Sequence, residues 1–356
     1  MSAECRVLSD LELAAASRQP PVGSNCKLCG SIHDSRITIH AVVAALALAL
    51  VLTCATADAQ PYPVRPIRLL VPNPPGGATD NLARVIAPSL TAALGQTVVV
   101  DNRPGSNGNL ATEAAARATP DGHTLFLAAD GQIVISPHLY RKLPFNTLKD
   151  LTPVASLVST QMLLAVHPSL PVKNPQEFVE YARRANPPLA YASIGNGSQH
   201  HLAMEMLKSR TGINLLHVPY KGGGPALVAL FGGEVSVMFG GSSAAPHVRS
   251  GKLRALALAG RRNAAYPGLP TLSETFPGLE VNPWLGLFAP AGLPAPVVSR
   301  LRGETGRMLV DAEVRERVLK IALDPYVTTP QEFAAVIRAD YARYGEVVKA
   351  AGVTID

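Results

Sequence analysis

Glycines and short polar side chains cluster at three places where an apolar run gives way to a helical pattern. VPNPPGGATDNLARVI (Val71 to Ile86) carries Asn73, Gly76, Gly77, Thr79 and Asp80. LAYASIGNGSQHHLAMEML (Leu189 to Leu207) carries Ser193, Gly195, Asn196, Gly197, Ser198 and His201. Tyr220-Lys221-Gly222-Gly223-Gly224-Pro225 repeats the pattern, with Pro225 suited to a first helical turn. The chemistry this permits is anion binding. The first amides of a helix have no intrahelical partner, the helix dipole adds positive charge, and glycine lets a ligand oxygen approach the backbone. Two such loops in two halves of one chain suggest a ligand held between two lobes.

Single residues carry two readings each. Asp80 is either a helix-start residue or an acceptor for a ligand amine. Ser198 either donates its hydroxyl to a carboxylate or caps its own helix, and His201 is either a buried hydrogen-bonded ring or a ligand contact. Lys221 offers a counter-ion or a bridge between lobes. Ala129 and Asp130 end an apolar strand, where open α/β sheets place ligands, and Asp130 either accepts an amine or caps the next helix. His200 is read as a surface residue, Trp284 as hinge packing, and Arg103 as a turn residue paired locally. A hydrolase or transferase could be assembled on paper from Ser198, His201 and Asp80, but G-x-S-x-G and H-E-x-x-H are absent from the sequence. The glycine-rich loops match neither a P-loop nor a dinucleotide fingerprint, so no cofactor is expected. Neighbouring histidines 200 and 201 face different sides of a helix, so no metal site is expected there.

These loops need strands and helices to position them. PIRLLV (Pro66 to Val71), TVVVD (Thr97 to Asp101) and HTLFLAA (His123 to Ala129) read as buried strands, separated by helical patterns at Leu82–Leu94 and Leu110–Ala118. Pro88 should kink the first helix. TPVASLV and MLLAVH come next with little between them, which suits a crossing between domains. The alternation then resumes: helix 175–186, strand LAYAS, helix 199–211, strand NLLHVPY, helix 225–231, strands VSVMF and LRALALA. GLEVNPWLGLFAP (Gly278 to Pro290) reads as an extended return segment with only helices after it. Alternation of this kind implies parallel pairing in α/β domains.

The 356 residues, 47% hydrophobic and 16% charged, are a folded composition large enough for two cores. Arg36 precedes an apolar run that ends in Ala57-Asp58-Ala59, a small-x-small cleavage site, so 36–59 is expected to be a signal peptide and the mature chain to begin at Gln60 in the periplasm. Residues 1–35 are expected to be an extension outside the mature protein. Cys5, Cys26, Cys29 and Cys54 all precede position 60, and Cys26-Lys27-Leu28-Cys29 lacks the second pair that a zinc site needs. The net charge of +6 is scattered, with no interleaved aromatics, which gives nucleic-acid binding no support.

Long ordered phrases carry a resemblance: YPVRPIRLLVPNPPGGATDNLAR, GQTVVVDNRPGSNGNLATEAAARATPDGHTLFLA, KLPFNTLKDLTPV, YASIGNGSQHHLAMEMLKSRTGINLLHVPYKGGGPALVALFGGEVSVMF, GKLRALALAG and GLFAPAGLPAPVV. From about Tyr62 onward the chain resembles the Bug family, the extracytoplasmic solute-binding receptors of tripartite tricarboxylate transporters. The resemblance implies a type II periplasmic binding-protein fold with two crossing interdomain strands, lobe 1 from 60–160 and 284–356 and lobe 2 from 161–283. It implies no catalysis. It also implies a small carboxylate ligand (an amino acid, a nicotinate-like acid or a di- or tricarboxylate) gripped by backbone amides, hydroxyls and waters, with recognition by neutral groups rather than by Lys221. Membrane permease subunits are the implied partner, with the receptor acting as a monomer; a role in signalling to a sensor kinase would change only that partner. Gly240-Gly241 stands where many relatives have Asp-Asn, which puts a side-chain contact from that loop in doubt.

Overall fold

The computed structural model describes residues 62–355 apart from 242, 243 and 264. The expected extension and signal peptide, and with them all four cysteines, therefore lie outside the described residues.

Two sheets form from the alternating pattern. β1 (Ile67–Val71), β2 (Val98–Asn102), β3 (Thr124–Ala129), β4 (Leu151–Ser159), β10 (Trp284–Pro290) and β11 (Asp324–Pro325) make a six-stranded sheet in the order β11-β4-β10-β3-β1-β2. β5 (Leu163–Val166), β6 (Ala190–Ser193), β7 (Leu216–Pro219), β8 (Val237–Gly240) and β9 (Arg254–Leu258) make a five-stranded sheet in the order β7-β6-β8-β5-β9. The two share one logic. In each, three parallel strands in second-first-third order meet an antiparallel strand, β10 in one and β5 in the other. The fold is two-lobed, one lobe on each sheet.

Helices cover both faces of each sheet, so side chains alternate between two cores. From β1, Ile67, Leu69 and Val71 pack with Leu82, Ile86 and Leu90 of α1 (Ala78–Leu94), while Leu70 joins Phe126, Trp284, Phe288 and Phe333 on the other face. In the second lobe Leu164 and Val166 meet Phe178 of α3 (Pro175–Arg184), and Ala165 and Met238 meet Leu227 and Leu230 on the opposite face.

The chain crosses between lobes at 160–162 and returns at 281–284. There Thr160 N–H donates to the Pro283 carbonyl at 2.9 Å, and Ala259 N–H and Val281 N–H tie β9's end to both crossings. The long helix α8 (Pro330–Ala351), started by a Thr329–Glu332 capping box, packs on β4 and also on α4 (Gln199–Thr211) of the other lobe. Leu202 of α4 is fully buried in the first lobe's Trp284–Phe333 cluster.

The first helix includes Pro88 in one continuous span, with Leu82, Ile86 and Leu90 holding its buried face in the core. One detail departs from the sequence expectation: the C-terminal part contains a strand, β11, whose two residues are too short to show a period.

Candidate functional site

A cleft of about 600 Å³ opens between the lobes at the carboxyl ends of β1 and β3. Four helices begin on its wall: α1 with Ala78 and Thr79, α2 (Asn109–Ala116) with Asn107 and Gly108, α4 with Gln199 and His200, and α5 (Gly223–Phe231) with Gly223. Three of them are capped by glycine (Gly77, Gly108 and Gly222) with no side-chain oxygen on their first amides. A serine or aspartate at those positions would satisfy the amides itself; glycine leaves them to a ligand, except that Asn109 N–H at the start of α2 already donates to the Ser106 carbonyl. Among the described residues no lysine or arginine lines the cleft.

The first loop is held from below. Asp80, 1% exposed, accepts from Gly76 N–H, Arg84 Nε and Asn102 Nδ2, each at 2.9 Å, and Asn102 also donates to the Asn73 carbonyl. The hydrogen bond from Arg84 holds the Asp80 carboxyl below the usual carboxylate range. Asp80 is thus a scaffold for the loop, with Asn73 and Thr79 on the cleft wall and Gly76 and Gly77 outside its lining. Gln132 performs the same service next door: its amide accepts from Ala129 N–H and donates to the Asn107 carbonyl, fixing the loop before α2 to the end of β3.

The second loop rests on a stack of rings. His201 Nδ1 accepts from Gly197 N–H at 3.1 Å, His201 lies face to face with His217 at 3.9 Å, and His217 Nε2 meets Ser193 Oγ at 2.7 Å. Ser193 is fully buried and its hydroxyl bonds within its own loop to Gly195, so this serine–histidine pair holds a loop and presents no nucleophile. Ser198 Oγ donates to the Gly195 carbonyl at 2.7 Å and accepts from His201 N–H, which makes it a helix cap. Ser198→Ala should therefore cost about 0.5 to 2 kcal/mol of stability, read by urea unfolding. A loss below that range would mean the cap is redundant.

Of the residues singled out from sequence, Asn73, Thr79, Ala129, Asp130, Gly195, Asn196, Gly197 and Ser198 line the cleft. Gly76, Gly77, Asp80, Ser193, His201, Tyr220, Lys221, Gly222 and Gly240 do not. Lys221 is exposed, and Tyr220 N–H binds the Ser193 carbonyl. Gly240 gives way on the wall to Gly241, where a side chain would have room beside His200; at Gly240 a Cβ would strike Ala244 at 2.6 Å. Arg103 pairs locally with Asp101, as expected.

His200 is a correction. It lines the cleft with Nδ1 buried and unpartnered, and burial pushes its ring down to about 4, so it is neutral near pH 7. Its unfolded value is 6.5, so the stability it contributes is complete above that value and is lost as pH falls toward about 4. The melting-temperature gap between the protein and His200→Gln should shrink across that window, and a constant gap would refute the shift. Trp284 both packs at the hinge, donating Nε1–H to Asp340 at 2.9 Å, and forms cleft floor. Among the residues missed altogether were Pro104, Gly105, Asn107, Gly108, Gln132, Ser136, Leu139, Thr160 and Gln199. GSNGN before α2 carries the same glycine-then-helix signal as the other loops and could have been read.

The sequence profile described as "Tripartite tricarboxylate transporter family receptor" matches residues 82–353. The chain belongs to that family. It is 34% identical over 305 residues to protein BugT of Bordetella pertussis, a match covering 85% of this chain and 94% of BugT. Among solved structures it is similar to Rpa4515 of R. palustris with adipate (33% identity, TM-score 0.71, 82% of this chain and 99% of that one). It is also similar to MatC of Rhodopseudomonas palustris with bound malate (34% identity, TM-score 0.67, 81% and 100%). As a tripartite tricarboxylate transporter receptor the chain is a solute-binding protein of a periplasmic family, and not an enzyme.

Proposed function

We propose that the cleft captures a small carboxylate between lobe 1 (60–160 and 284–356) and lobe 2 (161–283) in the periplasm, and that the closed protein, a monomer, presents it to the membrane permease subunits of a tripartite tricarboxylate transporter. The observation that carries this reading is the convergence of four helix starts, three with glycine caps, on one cleft that has no basic side chain among its described lining residues. Backbone amides at helix starts stabilise a carboxylate without a counter-ion. The relatives with adipate and malate bound support the ligand class. Export through cleavage after Ala59 rests on the small-x-small pattern.

A thermal-shift screen of amino acids, nicotinate-like acids and di- and tricarboxylates tests the proposal. A ligand at 100 times its Kd should add about 2.7 kcal/mol of stability. No response from any carboxylate would refute it. Once a ligand is found, Lys221→Met should change its affinity by less than about threefold, since an exposed ammonium outside the cleft contributes little through solvent. A loss of tenfold or more by calorimetric titration would restore the ion-pair reading.

A further inference from the structure

Asp130 is the one carboxylate on the described wall of the cleft, and it sits at the end of β3 beside the start of β10. Its side chain is 1% exposed. Oδ1 accepts from its neighbour Gly131 N–H at 2.9 Å and from Gln199 Nε2 of the opposite lobe, whereas buried Oδ2 has no partner. A buried carboxylate oxygen without a donor is costly, and its neighbours sharpen the cost: Asp340 lies close enough to add repulsion. Asp340 is itself spoken for by Trp284 and Arg343. Arg343 in turn donates to Asp340 and the Glu280 carbonyl, so its cation is shared behind the wall and not supplied to the cleft.

An anionic ligand and an ionised Asp130 would repel each other in a cleft with no lysine or arginine among its described lining residues. A ligand bearing its own cation removes that conflict. Its carboxylate faces the helix starts and its ammonium faces Oδ2. The geometry points to a zwitterionic ligand, an amino-substituted carboxylic acid whose ammonium group is accepted by Asp130. The inference rests on the carboxylate reading above and narrows it. Gln199 gives it a conformational side as well. Because Gln199 belongs to the other lobe and holds Oδ1, closure is what fixes the carboxyl group with Oδ2 left over.

Burial and Asp340 push the Asp130 carboxyl well above the ordinary carboxylate range in the empty cleft. An adjacent ammonium would reverse that push and release a proton on binding. The competing arrangement has Asp130 protonated and donating to an amine-free acid. Asparagine separates the two, because its NH2 group reproduces a donor and cannot reproduce an anion.

The test titrates the mature protein and Asp130→Asn by calorimetry with paired probes: 2-aminoadipate against adipate, aspartate against succinate, aspartate against malate, with nicotinate added. The expected result is that an amine-bearing member binds at least about tenfold more tightly than its amine-free partner, and that Asp130→Asn weakens it about ten- to a hundredfold. Thermal unfolding of the variant confirms that it is folded. A preference for the amine-free acid, equal affinity within each pair, or a variant that keeps the amine-bearing ligand overturns the assignment while leaving the carboxylate reading intact. Silence from every probe overturns both.

Discussion

Gly197→Val should abolish ligand binding and lower the melting temperature together. Gly197 has φ of +70°, a region that a β-branched residue enters only under strain, and a Cβ built there would lie 2.6 Å from Leu139 Cδ1 and 3.3 Å from Ile355 Cδ1. Leu139 belongs to the first lobe's cleft wall and Gly197 to the second's, so the added side chain strikes the opposite lobe as the cleft closes. Overpacking of this kind costs about 1 to 3 kcal/mol, and the backbone strain adds about 1 to 3 more. Small-angle scattering should show a variant that stays expanded when ligand is added, with calorimetry detecting no binding. Wild-type affinity in a compact variant would mean that the loop bends away freely and that the contact has no role in closure.

Asp80→Ala should be nearly as damaging for a different reason. It removes the acceptor for three donors at once and frees the loop that carries Asn73 and Thr79. Arg84 is 57% exposed, so its share is screened by water; the larger loss comes from the bonds of Gly76 N–H and Asn102 to the buried carboxylate, after which Asn102 Nδ2 keeps only the Asn73 carbonyl. The sum is about 2 to 4 kcal/mol by urea unfolding, accompanied by weaker ligand binding. Asp80→Asn keeps one acceptor oxygen and should cost less than the alanine variant. Equal costs would indicate that burial of the site, and not acceptance by the carboxylate, is what matters.

Local pattern made the fold legible. Apolar runs such as PIRLLV and TVVVD announced strands, although the second, expected to be buried, is an edge strand with Val99 49% exposed, and glycine before a helical period announced the loops at 73–80, 195–201 and 220–225. What local pattern could not give was direction. His200 and His201 are adjacent in sequence, and only the packing of α4 against β8 and α8 puts the first on the cleft and the second beneath the loop. Asp80 and Ser198 were correctly placed at helix starts, but whether their oxygens serve a ligand or the loop depends on Arg84, Asn102 and Gly195 being near, which is a property of the assembled site. Thr160 and Pro283 lie 123 positions apart and meet only because two crossings run side by side.

That same route of the chain has a bearing on synthesis. β10 lies between β3 and β4 at the middle of the six-stranded sheet, yet it is made after the whole of the five-stranded one. A ribosome that has released residues up to 283 has therefore delivered every strand of the second lobe, while the first lobe still has a gap at its centre. The open edges of β3 and β4 then wait on a segment more than a hundred residues downstream, and pairing at that distance is slow to close. A chain of this design leaves its larger half unfinished until β10, which ends at Pro290, has emerged.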